Sequence, residues 1–161
     1  MADIESRLAA LGLQLPQPIK LPPNVVLNFP WVRIHGNRAF ISGHGALAPD
    51  GSIATPLGKV GRDLSLEEAY HAAKLTGLAM LASLKGSIGD LDRVESWLRV
   101  FGMVNADDCF NRYPLVINGF SDLIVELYGK ERGAHSRSAI GVAGLPFNLP
   151  VEIEAEVAIR T

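Results

Sequence analysis

Residues 135–159 read HSRSAIGVAGLPFNLPVEIEAEVAI, and this stretch decides the fold. In its second half Val151, Ile153, Ala155, Val157 and Ile159 fall on one face of a strand and Glu152, Glu154 and Glu156 on the other, because strand side chains alternate in direction. Such a strand has one buried and one open face. The first half, from about Ser136 to Val142, is a second strand, and the Gly- and Pro-rich segment 144–150 between them can continue neither. The two strands are expected to pair as a closing hairpin, with Arg137 set opposite a carboxylate at the strand end. A guanidinium there is a natural receptor for a small carboxylate, since its planar fork takes both oxygens. Three carboxylates in alternation also suit a plain solvated face.

Outward from this stretch the pattern alternates between strands and helices. Gly36-Asn37 is a two-residue hairpin signal between strands expected at 31–36 and 38–43. Pro49-Asp50-Gly51 marks a turn, and the chain to Gly61 reads as loop. Ser65-Leu66-Glu67-Glu68 has capping-box spacing and starts a long helix, whose stripe of Ala69, Ala72, Ala73, Leu75, Thr76, Ala79, Ala82 and Ser83 is mostly small and runs to Gly86. Val94–Val104 reads as a strand. A second helix is expected from Asn105-Ala106-Asp107, interrupted at Pro114 and resuming to a stop before Gly129. At the N-terminus Asp3 caps a short amphipathic helix ending at Gly12, followed by an arm whose prolines between Pro16 and Pro23 exclude helix. The fold class is therefore α+β, a layer sandwich of mixed sheet with two helices packed on one face. Residues 1–23 form a helix and proline-rich arm, and residues 24–161 a single domain.

Composition narrows the function classes. The 161 residues suit one domain, which buries roughly 70% of the surface of its unfolded chain. Cys109 is the only cysteine, so no intrachain disulfide forms and a reducing cytoplasm is expected. No run reaches the roughly 18 apolar residues of a membrane span, and no secretory signal pattern is present. Fifteen Lys and Arg against 17 Asp and Glu give no global attraction for nucleic acid. A hydrophobic content of 48% with few charges in the strands favours association between copies. The histidines, His35, His44, His71 and His135, have no metal-site spacing and no Cys pair beside them, so no metal is expected. Cys109, beside Asp107 and Asp108, is assigned to packing, and Gly58-Lys59-Val60-Gly61 to a turn, for it lacks the rest of a P-loop. Trp97 and Phe101 are expected on one strand face, in a core or interface.

The run His135-Ser136-Arg137-Ser138-Ala139, then Leu145-Pro146, then Val151-Glu152-Ile153-Glu154-Ala155, resembles the C-terminal signature of the RidA/YjgF family, with the spacing from Arg to Leu-Pro to the first Glu kept without a gap. Ile41-Ser42-Gly43-His44 is similar to that family's Ser-Gly-Gln turn, and Asn118 stands where the family has an Asn in its second helix. The likeness covers about residues 29–160. It departs at Ala139, where the family has Cys, and at His44, where it has Gln, which marks a divergent branch with an N-terminal extension.

The resemblance implies a chorismate-mutase-like fold, a homotrimer and clefts between subunits. It also implies hydrolysis of reactive enamines and imines such as 2-aminoacrylate to a 2-keto acid and ammonia, with no cofactor. Carried over by position, Arg137 holds the substrate carboxylate and Glu152 orients or activates water. Ser42, Asn118 and the backbone of Ala139 line the pocket, His44 lies near it, and either Phe29 or Trp31 is the aromatic residue at its mouth. Two other functions remain open at this stage: a small-carboxylate-binding regulatory trimer without turnover, and an endoribonuclease acting on single-stranded RNA.

Overall fold

In the computed structural model, which describes residues 3–161, the chain runs α1 (Ile4–Ala10), β1 (Val32–His35), β2 (Arg38–His44), α2 (Leu66–Ile88), β3 (Val94–Asn105), α3 (Tyr113–Gly133), β4 (Ser136–Val142) and β5 (Val151–Ile159). The strands form one mixed sheet in the order β1-β2-β5-β3-β4. The helices α2 and α3 pack on one of its faces, the layered α+β arrangement expected from the pattern.

The closing hairpin is not formed. Among the described residues β4 pairs only with β3, in parallel, while β5 runs antiparallel between β2 and β3. The reason lies in the connections. Parallel neighbours need a crossover, and α3 supplies one from β3 to β4, which leaves β4 at the sheet edge. Segment 143–150 then carries the chain back across β3. In the central position the five apolar residues of β5 all reach the helix-covered core, each at most 9% exposed.

Local rules explain most boundaries. The Ser65 hydroxyl accepts the Glu68 amide and the Glu68 carboxylate accepts the Ser65 amide, which starts α2. This helix runs through Gly86 and stops at Gly89, whose φ of 82° ends the hydrogen-bond ladder. Small residues on both helices let α2 and α3 approach: a Cβ on Gly119 of α3 would strike the Tyr70 carbonyl, and one on Gly77 of α2 would come within 2.9 Å of Leu123. α3 begins at Tyr113 and not near residue 105, because Asn105 still belongs to β3. Pro114 sits in the helix's first turn, where its missing N–H has no partner to lose.

Two further expectations are corrected. Shifts of register in β3 between Val94 and Ser96 and between Trp97 and Arg99 change which residues share a face. Trp97 is buried against Phe120 and Tyr128, whereas Phe101 lies on the open face beside Glu154. Cys109 is exposed and packs in no core.

The N-terminal segment is bound to the domain at two places. Ile4 and Leu8 enter the main buried cluster, and Arg7 Nη1 donates to the Leu127 carbonyl at 2.7 Å. Beyond α1 the arm follows the loop at 49–51, where the Gln17 amide donates to Pro49 O at 3.0 Å and the Lys20 amide to Gly51 O at 2.9 Å. Among the described residues no helix is long and apolar enough to cross a membrane.

Candidate functional site

The residues singled out in the sequence fall into two clusters on opposite faces of the sheet. The first is built where β4 meets α3. Arg137 alternates with Ser136 and Ser138 on the edge strand, so its side chain turns toward the helix layer. There Nη1 donates to Asn118 Oδ1 at 2.9 Å and to Ser121 Oγ at 3.0 Å, and Nη2 donates to the Pro114 carbonyl at 3.3 Å. Partial burial lowers the pKa of Arg137, an effect that Asp122 opposes.

A guanidinium has five N–H donors. These three bonds leave Nε–H and one Nη2–H uncommitted, and among the described residues no carboxylate lies within ion-pair distance of it. An arginine held by neutral acceptors, with donors to spare, has the chemistry to receive an anion.

A relay stands behind Arg137. His135 Nδ1 lies 2.7 Å from the Gly133 carbonyl and therefore carries a proton when the ring is neutral. Its Nε2, 2.9 Å from Ser121 Oγ, then accepts the serine hydroxyl, and the Ser121 oxygen is left to accept from Arg137. Burial, and then the nearby Arg137 charge, lower the His135 pKa, which favours this neutral arrangement. Ala139 follows on the same strand face, half-buried and opposite Gly102 of β3.

The second cluster is built around Glu152. On β2 the register slips between Ile41 and His44, and this bulge swings Gly43 under the Glu152 side chain. A Cβ at position 43 would collide with Glu152 Oε1, so only glycine admits the carboxylate there. The pocket that holds it, about 220 Å³, is walled by Leu21, Leu27, Phe29, Trp31, Leu47 and Phe147. Burial raises the Glu152 pKa, and the neighbouring Glu154 charge raises it further. In such apolar surroundings a carboxylate becomes a stronger base.

Phe147 closes the pocket from segment 143–150. Both Phe147 and Asn148 take positive φ values, 55° and 59°. That backbone is held by Asn105, which is 1% exposed: its Nδ2 donates to Leu149 O at 3.2 Å, and its Oδ1 accepts Lys59 Nζ at 3.0 Å. Lys59 also donates to Ala143 O at 2.6 Å.

The remaining sequence-derived residues lie around Trp31. Phe29 and Trp31 both line the Glu152 pocket, ring to ring at 5.3 Å. His44 sits behind Trp31, 5% exposed, with Nδ1 2.6 Å from Ser42 O and Nε2 2.8 Å from Ser83 Oγ. It faces a separate cavity beneath Gln17 and Pro18, and burial lowers its pKa. The Ser42 hydroxyl is committed to the Pro30 carbonyl at 2.9 Å, at the rim of the open sheet face.

Arg137, Asn118 and Ala139 therefore stand together, and Glu152, Phe29 and Trp31 stand together. The two groups do not meet within one chain. Arg137 on β4 is level with Val100 of β3, whereas Glu152 on β5, two strands in from β4, is level with Met103 and on the other face.

The sequence reading missed Ser121, His135, the Asn105–Lys59 brace and the arm's share of the pocket. For the first two a signal was present. Ser121 follows Asn118 at helical spacing, and His135 precedes Arg137 at strand spacing, so both pairs share a face. The brace and the arm contacts join residues far apart in sequence and left no such trace.

Comparison with known proteins agrees with this architecture. The family model described as "YjgF/chorismate_mutase-like, putative endoribonuclease" matches residues 5–153. Protein TCP17 of Trypanosoma cruzi is 33% identical over 157 residues, covering 98% of this chain and 94% of that protein. The crystal structure of Atu1372 from Agrobacterium tumefaciens, a protein of unknown function, superposes with a TM-score of 0.86 at 38% identity, covering 98% of this chain and 92% of that one. A Shewanella oneidensis protein carrying the endoribonuclease label gives 0.89 at 29% identity, covering 98% and 100%. With the match spanning nearly its whole length and the layered fold in agreement, the chain belongs to the YjgF/chorismate-mutase-like family.

Proposed function

We propose that the protein is a cofactor-free hydrolase that deaminates small imines or enamines bearing a carboxylate, giving a 2-keto acid and ammonia. The observation that carries this reading is Arg137, a guanidinium fixed by Asn118, Ser121 and Pro114 with two donors left for an anion. Arg137 anchors the substrate carboxylate. An enamine first takes a proton on its methylene carbon and becomes the iminium. A water beside Glu152 gives its proton to the carboxylate as its oxygen attacks the imine carbon. The neutral carbinolamine then takes a proton from Glu152 on nitrogen, the C–N bond breaks as the hydroxyl oxygen forms the carbonyl and gives its proton back to the Glu152 carboxylate, and ammonia leaves. An imine is already electrophilic once protonated, so positioning and one proton shuttle suffice.

Because the two clusters occupy different faces of one chain, this chemistry calls for a cleft between subunits, with Arg137 of one copy facing Glu152 of the next. We infer a homotrimer on that ground and on family membership. A sedimentation mass near one chain at micromolar concentration would remove the intersubunit site. An endoribonuclease finds less support, since the open sheet face mixes Arg33 and Arg99 with Glu154 and Glu156 and offers no basic groove.

The test is ammonia release from freshly generated 2-aminoacrylate, with wild type, Arg137→Lys, Arg137→Ala and Glu152→Gln compared. Wild type turns over and the three variants fall far below it. Equal rates in all four proteins would sink the assignment. Carboxylate binding without turnover in the wild type would favour a regulatory binding protein.

A further inference from the structure

The lining of the Glu152 pocket differs in kind from the Arg137 cluster. Apart from Glu152 itself, every side chain around it is apolar, and much of its wall comes from Ile19 and Leu21 of the N-terminal arm and from Leu27 and Phe29 in the stretch that follows it. The opposite wall is Phe147, held at a positive φ by a segment that the buried Asn105 ties down. The arm is itself fastened to the loop at 49–51 by two backbone hydrogen bonds. This wall is therefore a built part of the domain.

The volume decides what the pocket can hold. A cavity of about 150 Å³ lined by Leu, Ile and Phe takes up benzene. The space here is about 220 Å³, enough for a phenyl or isobutyl group with room for a water molecule at Glu152. The methylene of 2-aminoacrylate would leave most of it unfilled.

We propose that this pocket receives the side chain of the substrate and selects 2-imino acids with a branched or aromatic apolar side chain over those with a methyl or methylene. This rests on the deaminase reading for turnover, but the selection resides in the pocket and shows in binding alone. Burying one isobutyl or benzyl group separates such substrates from a methyl analogue by at least about tenfold.

The experiment has two readouts. Imines are generated from alanine, leucine and phenylalanine with an amino-acid oxidase, and kcat/KM for ammonia release is measured. In parallel, equilibrium binding of the corresponding stable 2-keto acids, pyruvate, 4-methyl-2-oxopentanoate and phenylpyruvate, is measured by calorimetry. Both are repeated on Leu27→Trp, which fills the pocket from a half-buried position, and on Leu27→Ala.

The expected result is a preference of tenfold or more for the bulky compounds in both readouts, reduced several-fold by Leu27→Ala and abolished by Leu27→Trp. A binding preference without turnover would defeat the deaminase reading and leave this inference standing. Equal treatment of small and bulky compounds, no binding of any keto acid, or a preference indifferent to Leu27→Trp would overturn it. The last of these would mean that another group, such as a side chain of a second copy, occupies the pocket.

Discussion

Arg137 and Glu152 are set in opposite ways. The arginine lies among polar neutral groups that fix its direction and leave its charge unanswered, whereas the glutamate lies among apolar side chains that raise its basicity. One arrangement stores geometry and the other stores pKa. The difference follows from chemistry: a bidentate receptor depends on orientation, and a base depends on the relative stability of its two protonation states. On the proposed mechanism neither device is complete alone, and an encounter between copies would join them.

The largest expected effect is at the oriented member. Arg137→Ala should weaken small-carboxylate binding by a few kcal/mol, on the order of a hundredfold or more, and Arg137→Lys should recover little of it because a lysine has no fork. Calorimetry with a 2-keto acid would measure this. Thermal stability should change much less, since Arg137 is only partly buried and pairs with no carboxylate among the described residues.

Glu152→Gln should separate the two roles. Binding should stay within a few-fold of wild type while kcat falls by about 10² or more, the scale of losing a general base. In the wild type the acid limb of the pH–rate profile should lie above the ordinary glutamate value of 4.5, because burial and Glu154 raise the pKa and the base must be ionised to act. Glu154→Gln removes a neighbouring negative charge and should move that limb to lower pH. A limb that stayed in place would break the contrast between the two residues, since the pKa would then owe nothing to Glu154.

The relay behind Arg137 predicts a smaller effect. Ser121→Ala removes one acceptor from Nη1 and the hydroxyl donor to His135, and should raise KM by roughly tenfold with kcat little altered, the cost of one charge-assisted hydrogen bond. His135→Asn should act in the same direction but more weakly. If kcat fell and KM held, Ser121 would act in the chemistry and not in holding the receptor.

The smallest effect concerns stability. Burial lowers the His44 and His135 pKa values below 6.5, so in the folded state both resist protonation. The unfolded chain takes up protons first as pH falls through 6.5. Stability is therefore full above that value and declines below it, by at most about 1.4 kcal/mol per pH unit for each histidine. Thermal melts from pH 7.5 to 5 should show the decline, and His44→Gln should flatten it.

Elements governed by neighbours in sequence were legible from the chain. The capping box at Ser65 and Glu68, the Gly36-Asn37 hairpin and the alternation in β5 each act within a few residues, and each appears as expected. Arg137, Glu152 and Asn118 were singled out by spacing and family likeness, and the structure brings Arg137 and Asn118 together but sets Glu152 apart. Face assignment failed at Trp97 and Phe101 because a bulge adds one residue to a strand and reverses every parity beyond it. The start of α3 was misread because Asn105 extends β3, with its amide bonded to Pro150 O.

By itself the sequence determined the element order, the buried stripe of β5 and the identity of the two charged residues on which the proposed chemistry turns, because periodicity and capping are local. Only the tertiary structure decided that β3 lies between β4 and β5, that Arg137 and Glu152 point away from each other, and that residues 19–29 reach back to wall the glutamate's pocket. Strand order and long-range contact are settled by which arrangement buries the most apolar surface once crossover connections are satisfied, and that balance is struck among residues a hundred positions apart.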